Sequence, residues 1–245
     1  MNLYGLIGYP LGHSFSSEYF NEKFKRDGLS DCFFQLFPIE HICNFTGMLA
    51  DNPSLKGLAV TIPYKQTIIP FLHKMTAEAT AIGAVNCINI TDGLLTGHNT
   101  DVKGFELSFT ANKRPYHNKA LVLGTGGASK AVQFILRRLQ IPFLLVSRIS
   151  QGLEGIISYE EVNHVIMEEC NIIVNCSPVG MSPHVDSKPS IPYQYLSSEH
   201  YLYDLVYKPA ETQFLMEGNR RGATTKNGFE MLIIQAEENW RIWNT

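Results

Sequence analysis

Apolar residues recur along this chain in two rhythms that take turns. Short apolar runs fit strands, and apolar residues spaced by three or four fit helices. Leu3 to Ile7 reads as a strand, Ser17 to Lys25 as an amphipathic helix carrying Tyr19, Phe20 and Phe24, and Phe33 to Phe37 as a second strand. A helix over Ile42 to Ala50, a strand from Leu58 to Ile62, a helix over Lys74 to Ile82, a strand from Val85 to Ile90 and a turn at Asp92-Gly93 follow. Beyond the polar cluster Gly97 to Asp101, a helix is expected near Val102 to Phe109.

The same rhythm resumes after Lys113 to Asn118, a polar stretch whose Pro115 suits a boundary. The stretch Leu121 to Ala131 is an apolar run that stops at Gly124, bends through Gly126 and Gly127 and re-emerges with helical spacing, Ala128, Val132, Ile135 and Leu139 on one face. Pro142 to Arg148 is the next strand. Only Ile149 to Gly155 separates it from Ile156-Ile157. That is too short for the crossover helix that parallel strands use, so a loop is predicted in its place. A helix over Glu160 to Glu169, a strand from Ile172 towards Met181, a polar stretch to Glu199, a strand over Tyr201 to Pro209 and a final helix over Gly228 to Trp243 complete the pattern. Such alternation predicts an α/β protein with parallel sheets, whose ligands sit outside the carboxyl ends of the strands.

At 245 residues the chain has room for two domains of ordinary size. Its 44% hydrophobic and 18% charged residues describe a globular protein, with no apolar run long enough to span a membrane. A net charge of −3 and the absence of a Lys/Arg stripe argue against a nucleic-acid partner and point to small ligands. The opening MNLYGLIGYP has no secretory character, so a cytoplasmic protein is expected. The five cysteines are odd in number with no C-x-x-C pair, and the eight histidines show no ligand spacing, so neither disulfides nor a metal is predicted.

Chemistry concentrates at the strand ends. Gly124, Gly126 and Gly127 suit a tight turn that brings backbone N–H groups close to a phosphate, although a bare αβ connection would look the same. Ser14 and Ser16 follow the first strand, Thr61 and Lys65 the third, Asn86 opens the fourth, and Asp101 closes GHNTD. Taken alone, the serines and the GHNTD cluster read as helix caps, and Lys65 and Gln235 as surface residues. About twenty residues beyond the glycines, where NAD-binding chains carry an acid, stand Ser147 and Arg148. A guanidinium there pairs with a 2′-phosphate and favours NADP over NAD; surface exposure is the alternative.

The order of motifs GYPLGHSFS, VTIPYK, GAVN, GHNTDVKG, GTGGAS, NCSPVGM, DLVYKP and NGFEMLIIQA resembles the shikimate dehydrogenase family along essentially the whole chain. The resemblance implies an oxidoreductase that reduces 3-dehydroshikimate to shikimate with NADPH, in the shikimate pathway to chorismate and the aromatic amino acids. It implies Lys65 and Asp101 as the catalytic pair. Ser14, Ser16 and Tyr207 are expected at the substrate carboxylate, and Thr61, Asn86, Asp101 and Gln235 at the ring hydroxyls. Gly124, Thr125, Gly126, Gly127, Ala128, Ser129, Ser147, Arg148, Asn175, Ser177, Met181, Leu205, Gly228 and Met231 are expected at the cofactor. The implied architecture is a substrate domain over 1–101, a Rossmann-like NADP-binding domain with one shortened crossover over 102–226, and a last helix over 227–245 that returns to the substrate domain. The active site is expected in the cleft between the domains of a monomer or homodimer. An NAD-dependent quinate/shikimate dehydrogenase and a non-catalytic metabolite sensor on the same fold are the alternatives. The chain departs from the family pattern at Ser17, Ala59, Cys87 and Lys208, which usually are proline, asparagine, threonine and asparagine, and at Ile149 and Gly152 in the NADP loop.

Overall fold

The computed structural model describes residues 1–12, 14–148 and 155–245. The chain divides into two compact units, Met1–Thr100 with Gln235–Thr245, and Asp101–Ile234. Unit 1 contains β1 (Asn2–Gly8), α1 (Phe15–Arg26), β2 (Cys32–Pro38), α2 (Phe45–Asp51), β3 (Leu55–Val60), β4 (Lys74–Met75), α3 (Ala77–Ile82), β5 (Cys87–Thr91) and β6 (Leu94–His98). Unit 2 contains α4 (Asp101–Thr110), β7 (Ala120–Leu123), α5 (Gly127–Arg138), β8 (Phe143–Val146), β9 (Ile156–Ile157), α6 (His164–Glu169), β10 (Ile172–Asn175), β11 (Tyr201–Asp204), α7 (Gln213–Asn219) and β12 (Thr224–Lys226). The last helix, α8 (Phe229–Trp243), runs through the division at Gln235.

The sheet of unit 1 has the order β2-β1-β3-β5-β6-β4. β1 is parallel to β2 and β3, but β5 is antiparallel to both β3 and β6. The sheet is therefore mixed rather than wholly parallel as expected. The cause is local: Asp92 and Gly93 both have positive φ, 51° and 77°, which makes their two-residue link a type I′ hairpin turn. The helix expected from Lys74 also begins later, because Lys74 and Met75 pair with Thr96 and Gly97 as β4. Thr76 then starts α3, its Oγ1 accepting from the Ala79 N–H at 3.2 Å.

Alternation along the strands gives this sheet two apolar faces. Ile7, Phe45, Leu58, Ile68, Val85 and Ile88 pack on one. Tyr4, Phe20, Phe24, Phe34 and Trp243 pack on the other, between α1 and the later turns of α8. Tyr4 stacks on Trp243 with ring centroids 5.2 Å apart, and the Trp243 indole Nε1 donates to the Ile88 carbonyl at 3.0 Å. A Cβ at Gly57 would lie 2.2 Å from Trp243, so glycine is what lets the indole reach the sheet. At the rim, buried Lys23 of α1 donates to Glu237 of α8 at 3.0 Å, and Tyr19 donates to the same carboxylate. Ala59 and Cys87, two of the departures from the family pattern, are cross-strand neighbours within the aromatic face. The two departures thus meet each other, apolar facing apolar.

In unit 2 the sheet order is β12-β11-β10-β7-β8-β9, and every pairing is parallel. Ranked along the chain, that is the doubly wound order of dinucleotide-binding folds. The helix expected over Glu160 to Glu169 is instead a single 3-10 turn at Tyr159–Glu161, capped by Ser158, followed by α6. Asn163 divides them by accepting from the Ile166 N–H at 3.2 Å and so opening a new helix. The short link predicted over Ile149 to Gly155 falls mostly on residues 149–154, which lie outside the described residues, as do Ile149 and Gly152.

Candidate active site

The parallel strands β1 and β3, the antiparallel β5 and the hairpin strand β6 bring their polar ends to one edge of the first sheet. Backbone hydrogen bonds fix the arrangement: Thr61 N–H donates to Ile7, Val60 N–H to Asn86, Val85 N–H to Lys65 and Asn86 N–H to His98, at 2.7 to 3.1 Å. Thr61, Lys65 and Asn86 therefore occupy one edge, although they come from strands of opposite direction. Thr61 and Lys65 are half-buried, whereas Asn86 is buried. Ser14 and Ser16 follow β1 from the same edge. Ser14 holds the N-cap position of α1 with extended backbone, yet its side chain makes no capping bond. Capping is therefore not what its hydroxyl does.

Behind this edge lies a buried network of uncharged side chains. The Thr100 N–H donates to Asn86 Oδ1 at 2.6 Å, Asn86 Nδ2 donates to Thr100 Oγ1 at 3.0 Å and to Gln235 Oε1 at 3.4 Å, and Thr100 Oγ1 donates to Asn239 Oδ1 at 2.6 Å. Asn99 joins the same edge through its Nδ2, which donates to the Ala84 carbonyl at 2.9 Å. Thr100 and Asn99 of GHNTD thus cross-link separate segments of the chain. Of the residues named from sequence, Asn86 and Gln235 are brought together here. Thr100 and Asn239, at 2% and 1% exposure, complete the network unnamed. Asp101 follows Thr100 directly, opens α4 and is buried; it belongs with Tyr207, half-buried, to unit 2.

In unit 2 the glycine turn joins β7 to α5. Only Gly124 uses the left-handed region, at φ 106°, where a Cβ would also come within 3.3 Å of the Ser177 nitrogen. Gly126 is extended, and a Cβ there would meet nothing within 4 Å, so the turn is open above the start of α5. The first N–H groups of that twelve-residue helix have no partner within it, and together with the open glycine they suit a dinucleotide pyrophosphate. Thr125 and Gly126 are exposed, Gly127 and Ala128 half-buried, and Ser129 fully buried with its Oγ accepting from Gln133 at 3.1 Å. Ser147 and exposed Arg148 follow β8, the neighbour of β7.

Beside the turn, a second buried cluster holds the ends of β10 and β11. Asn175 Nδ2 donates to Asp204 Oδ1 at 2.9 Å, while Ser177 donates through both its N–H and its hydroxyl to Asn175 Oδ1. Thr212 donates to Asp204 Oδ2 at 2.6 Å and the Val206 N–H to Oδ1 at 3.0 Å. Burial pushes the Asp204 carboxyl up to about 6, against the opposing pull of Thr212, the Val206 N–H and Asn175. The side chain of Asn175, a residue named for the cofactor, is thus committed to protein partners. Asp204, not singled out from sequence, anchors it. Met181 is exposed, Leu205 half-buried, Met231 buried, and Gly228 so close to the Leu205 carbonyl that a Cβ would lie 2.2 Å from it.

A mixed α/β unit with a polar sheet edge, joined to a doubly wound unit with an open glycine turn, defines a class of dinucleotide-dependent oxidoreductases. Residues 6–88 match the model of the shikimate dehydrogenase substrate binding domain. A shikimate dehydrogenase (NADP(+)) of Methanosphaera stadtmanae is 34% identical, over 98% of this chain and 90% of that one. The crystal structure of shikimate 5-dehydrogenase from Thermus thermophilus in complex with NADP(H) and shikimate superposes with a TM-score of 0.87 at 29% identity, covering 99% of this chain and 93% of that one. The quinate dehydrogenase of Corynebacterium glutamicum in complex with NAD gives 0.85 at 26% identity over the same shares, 99% and 93%. The chain belongs to the shikimate dehydrogenase family.

Proposed function

We propose that this protein reduces 3-dehydroshikimate to shikimate with NADPH, reversibly, as a step of aromatic amino-acid biosynthesis. The observation that carries the reading is the sheet edge of unit 1, where Thr61, Lys65 and Asn86 meet and Gln235 is tied to Asn86. That is an array of uncharged donors and acceptors with one ammonium, which suits a polyhydroxylated ring bearing a carbonyl.

NADPH supplies the hydride. The chain's own part is to hold the ring and manage the proton. Lys65 Nζ stabilises the alkoxide that develops at the reduced carbonyl and donates a proton to it. Asp101 orients that ammonium and accepts from a ring hydroxyl. Ser14, Ser16 and Tyr207 hold the substrate carboxylate, and Thr61, Asn86 and Gln235 take the remaining hydroxyls. A ring lacking a hydroxyl leaves one of these buried groups unpaired, which is how such a site discriminates. For the nucleotide, the Gly124 to Ser129 turn receives the pyrophosphate and Ser147 with Arg148 the 2′-phosphate, while Asn175, Ser177, Met181, Leu205, Gly228 and Met231 line the remainder. On this reading residues 1–101 form the substrate domain, 102–226 the nucleotide domain and 227–245 a last helix that returns to the substrate domain, in a cytoplasmic monomer or homodimer. Among the described residues no helix is long and apolar enough to cross a membrane.

The test follows NADPH and NADH oxidation separately, each with 3-dehydroshikimate and with 3-dehydroquinate. Fastest turnover with NADPH and 3-dehydroshikimate is expected. Preference for NADH and 3-dehydroquinate would replace the reading with a quinate dehydrogenase, and no turnover in any pairing with a metabolite sensor.

A further inference from the structure

The network behind the sheet edge has a direction, and a single backbone group sets it. The Thr100 N–H can only donate, so the Asn86 atom it meets at 2.6 Å is Oδ1, and the other end of that amide is the donor Nδ2. Because Nδ2 faces Gln235 at 3.4 Å, the Gln235 atom there is the acceptor Oε1. Asn239 reaches the same Oε1 from one turn further along α8, also at 3.4 Å, and must do so with Nδ2. Its own Oδ1 then faces Thr100, whose hydroxyl proton goes to it at 2.6 Å rather than to Asn86 Oδ1 at 3.2 Å. Each amide is fixed by the one before it, and the last, Asn239, ties back to Thr100. Asn86, Thr100 and Asn239 are all at 3% exposure or less, so water does not compete for these positions.

We propose that Asn239 is a positioning residue which, with Asn86, fixes the sense of the Gln235 amide, with Oε1 toward Asn86 and Asn239 and Nε2 at its other end. Gln235 thereby offers a substrate hydroxyl a donor and not an acceptor. The inference rests on the substrate assignment made above for Gln235. It gives the site a preference for a ring oxygen that accepts at that position. An Asn at position 239 is needed for its donor as well as its shape: aspartate has the same outline, but its oxygens would draw Nε2 toward them and turn Oε1 to the ligand.

The test compares Asn239→Asp and Asn239→Ser with the wild-type enzyme, at saturating NADPH and pH about 9, where the new carboxyl is ionised. In parallel, the side-chain amide signals of Gln235, assigned by their loss in Gln235→Met, are followed by ¹H–¹⁵N NMR without substrate. Asn239→Asp is expected to raise KM for 3-dehydroshikimate about tenfold with kcat within about threefold, the signature of a lost ground-state hydrogen bond. Its Gln235 signals are expected to shift as the amide protons turn to a carboxylate. Asn239→Ser, which keeps a hydroxyl donor, is expected to raise KM about threefold and decides the matter if the aspartate variant does not fold. Gln235 signals that stay at their wild-type positions, or a loss of kcat with KM unchanged, overturn the inference. A wild-type enzyme that does not reduce 3-dehydroshikimate overturns the substrate assignment instead, and the Gln235 signals still settle how its amide is held.

Discussion

Asn86 in unit 1 and Asn175 in unit 2 are both buried asparagines at strand ends, each tying together segments distant in the chain. Asn86 is held by a hydroxyl, a backbone N–H and another amide, all uncharged. Asn175 is held by Asp204, a carboxyl with no measurable exposure and no cation among its bonded partners. The two clusters do similar mechanical work, but only the second stores a titratable charge. The cluster around Asn86 is therefore neutral, whereas the cluster around Asn175 carries a titratable carboxyl.

The largest expected effect lies in unit 1. Lys65→Ala should lower kcat by about 10² to 10⁴ while leaving KM within a few fold, because it removes the proton donor but not the framework. Steady-state kinetics check this, and near-normal turnover would end the assignment of Lys65. The next effect separates the frames by pH. The Asp204 carboxyl moves from 3.8 to about 6 on folding, so between these values the folded state binds more protons than the unfolded one. Its contribution is fully present below about pH 4 and lost as pH rises through about 6, a difference of about 3 kcal/mol. Unfolding of wild-type protein and Asp204→Asn in urea across that window should show wild-type stability falling relative to the variant by this order. Parallel curves would mean that the donors, not burial, govern the carboxyl. The smallest effect concerns Arg148, exposed at the end of β8. Arg148→Gln should raise KM for NADPH about three- to tenfold and leave KM for NADH unchanged, since a solvated ion pair contributes little. Equal effects on both nucleotides would remove Arg148 from the 2′-phosphate.

What was legible in the sequence depended on how local its cause was. The Gly124 bend and the strands β7, β8, β10 and β11 are written in contiguous apolar runs, and the Asp92-Gly93 turn carries its own conformation. The antiparallel placement of β5 was not read, because β6 is a short run, LLTGH, whose partner lies across that turn. β12 and α7 hide in a polar stretch, α7 declaring itself mainly through its Thr212 cap. The site divided in the same way. Lys65, Asn86, Asp101 and Gln235 stand at strand ends or in motifs and could be named. Asn239 could not, since a polar residue at helical spacing looks like a solvated face until the packing of α8 shows it inside. Thr100 stood within GHNTD, but its N–H and hydroxyl acquire meaning only from Asn86 and Asn239, which are 14 and 139 residues away.

The aromatic face of unit 1 also bears on the order in which the chain can be made into a protein. Trp240 and Trp243 pack with Tyr4, Phe20 and Phe24, and Trp243 bonds to β5, yet both tryptophans follow the whole of unit 2 in the sequence. As the chain leaves the ribosome, residues 1–100 emerge first, with one face of their sheet still lacking its cover. Unit 2, an uninterrupted segment from 101 to 234, has all of its strands before α8 is complete. The part of the chain synthesised first is therefore the part finished last, and it spends the synthesis of 134 intervening residues with aromatic surface open to chaperones.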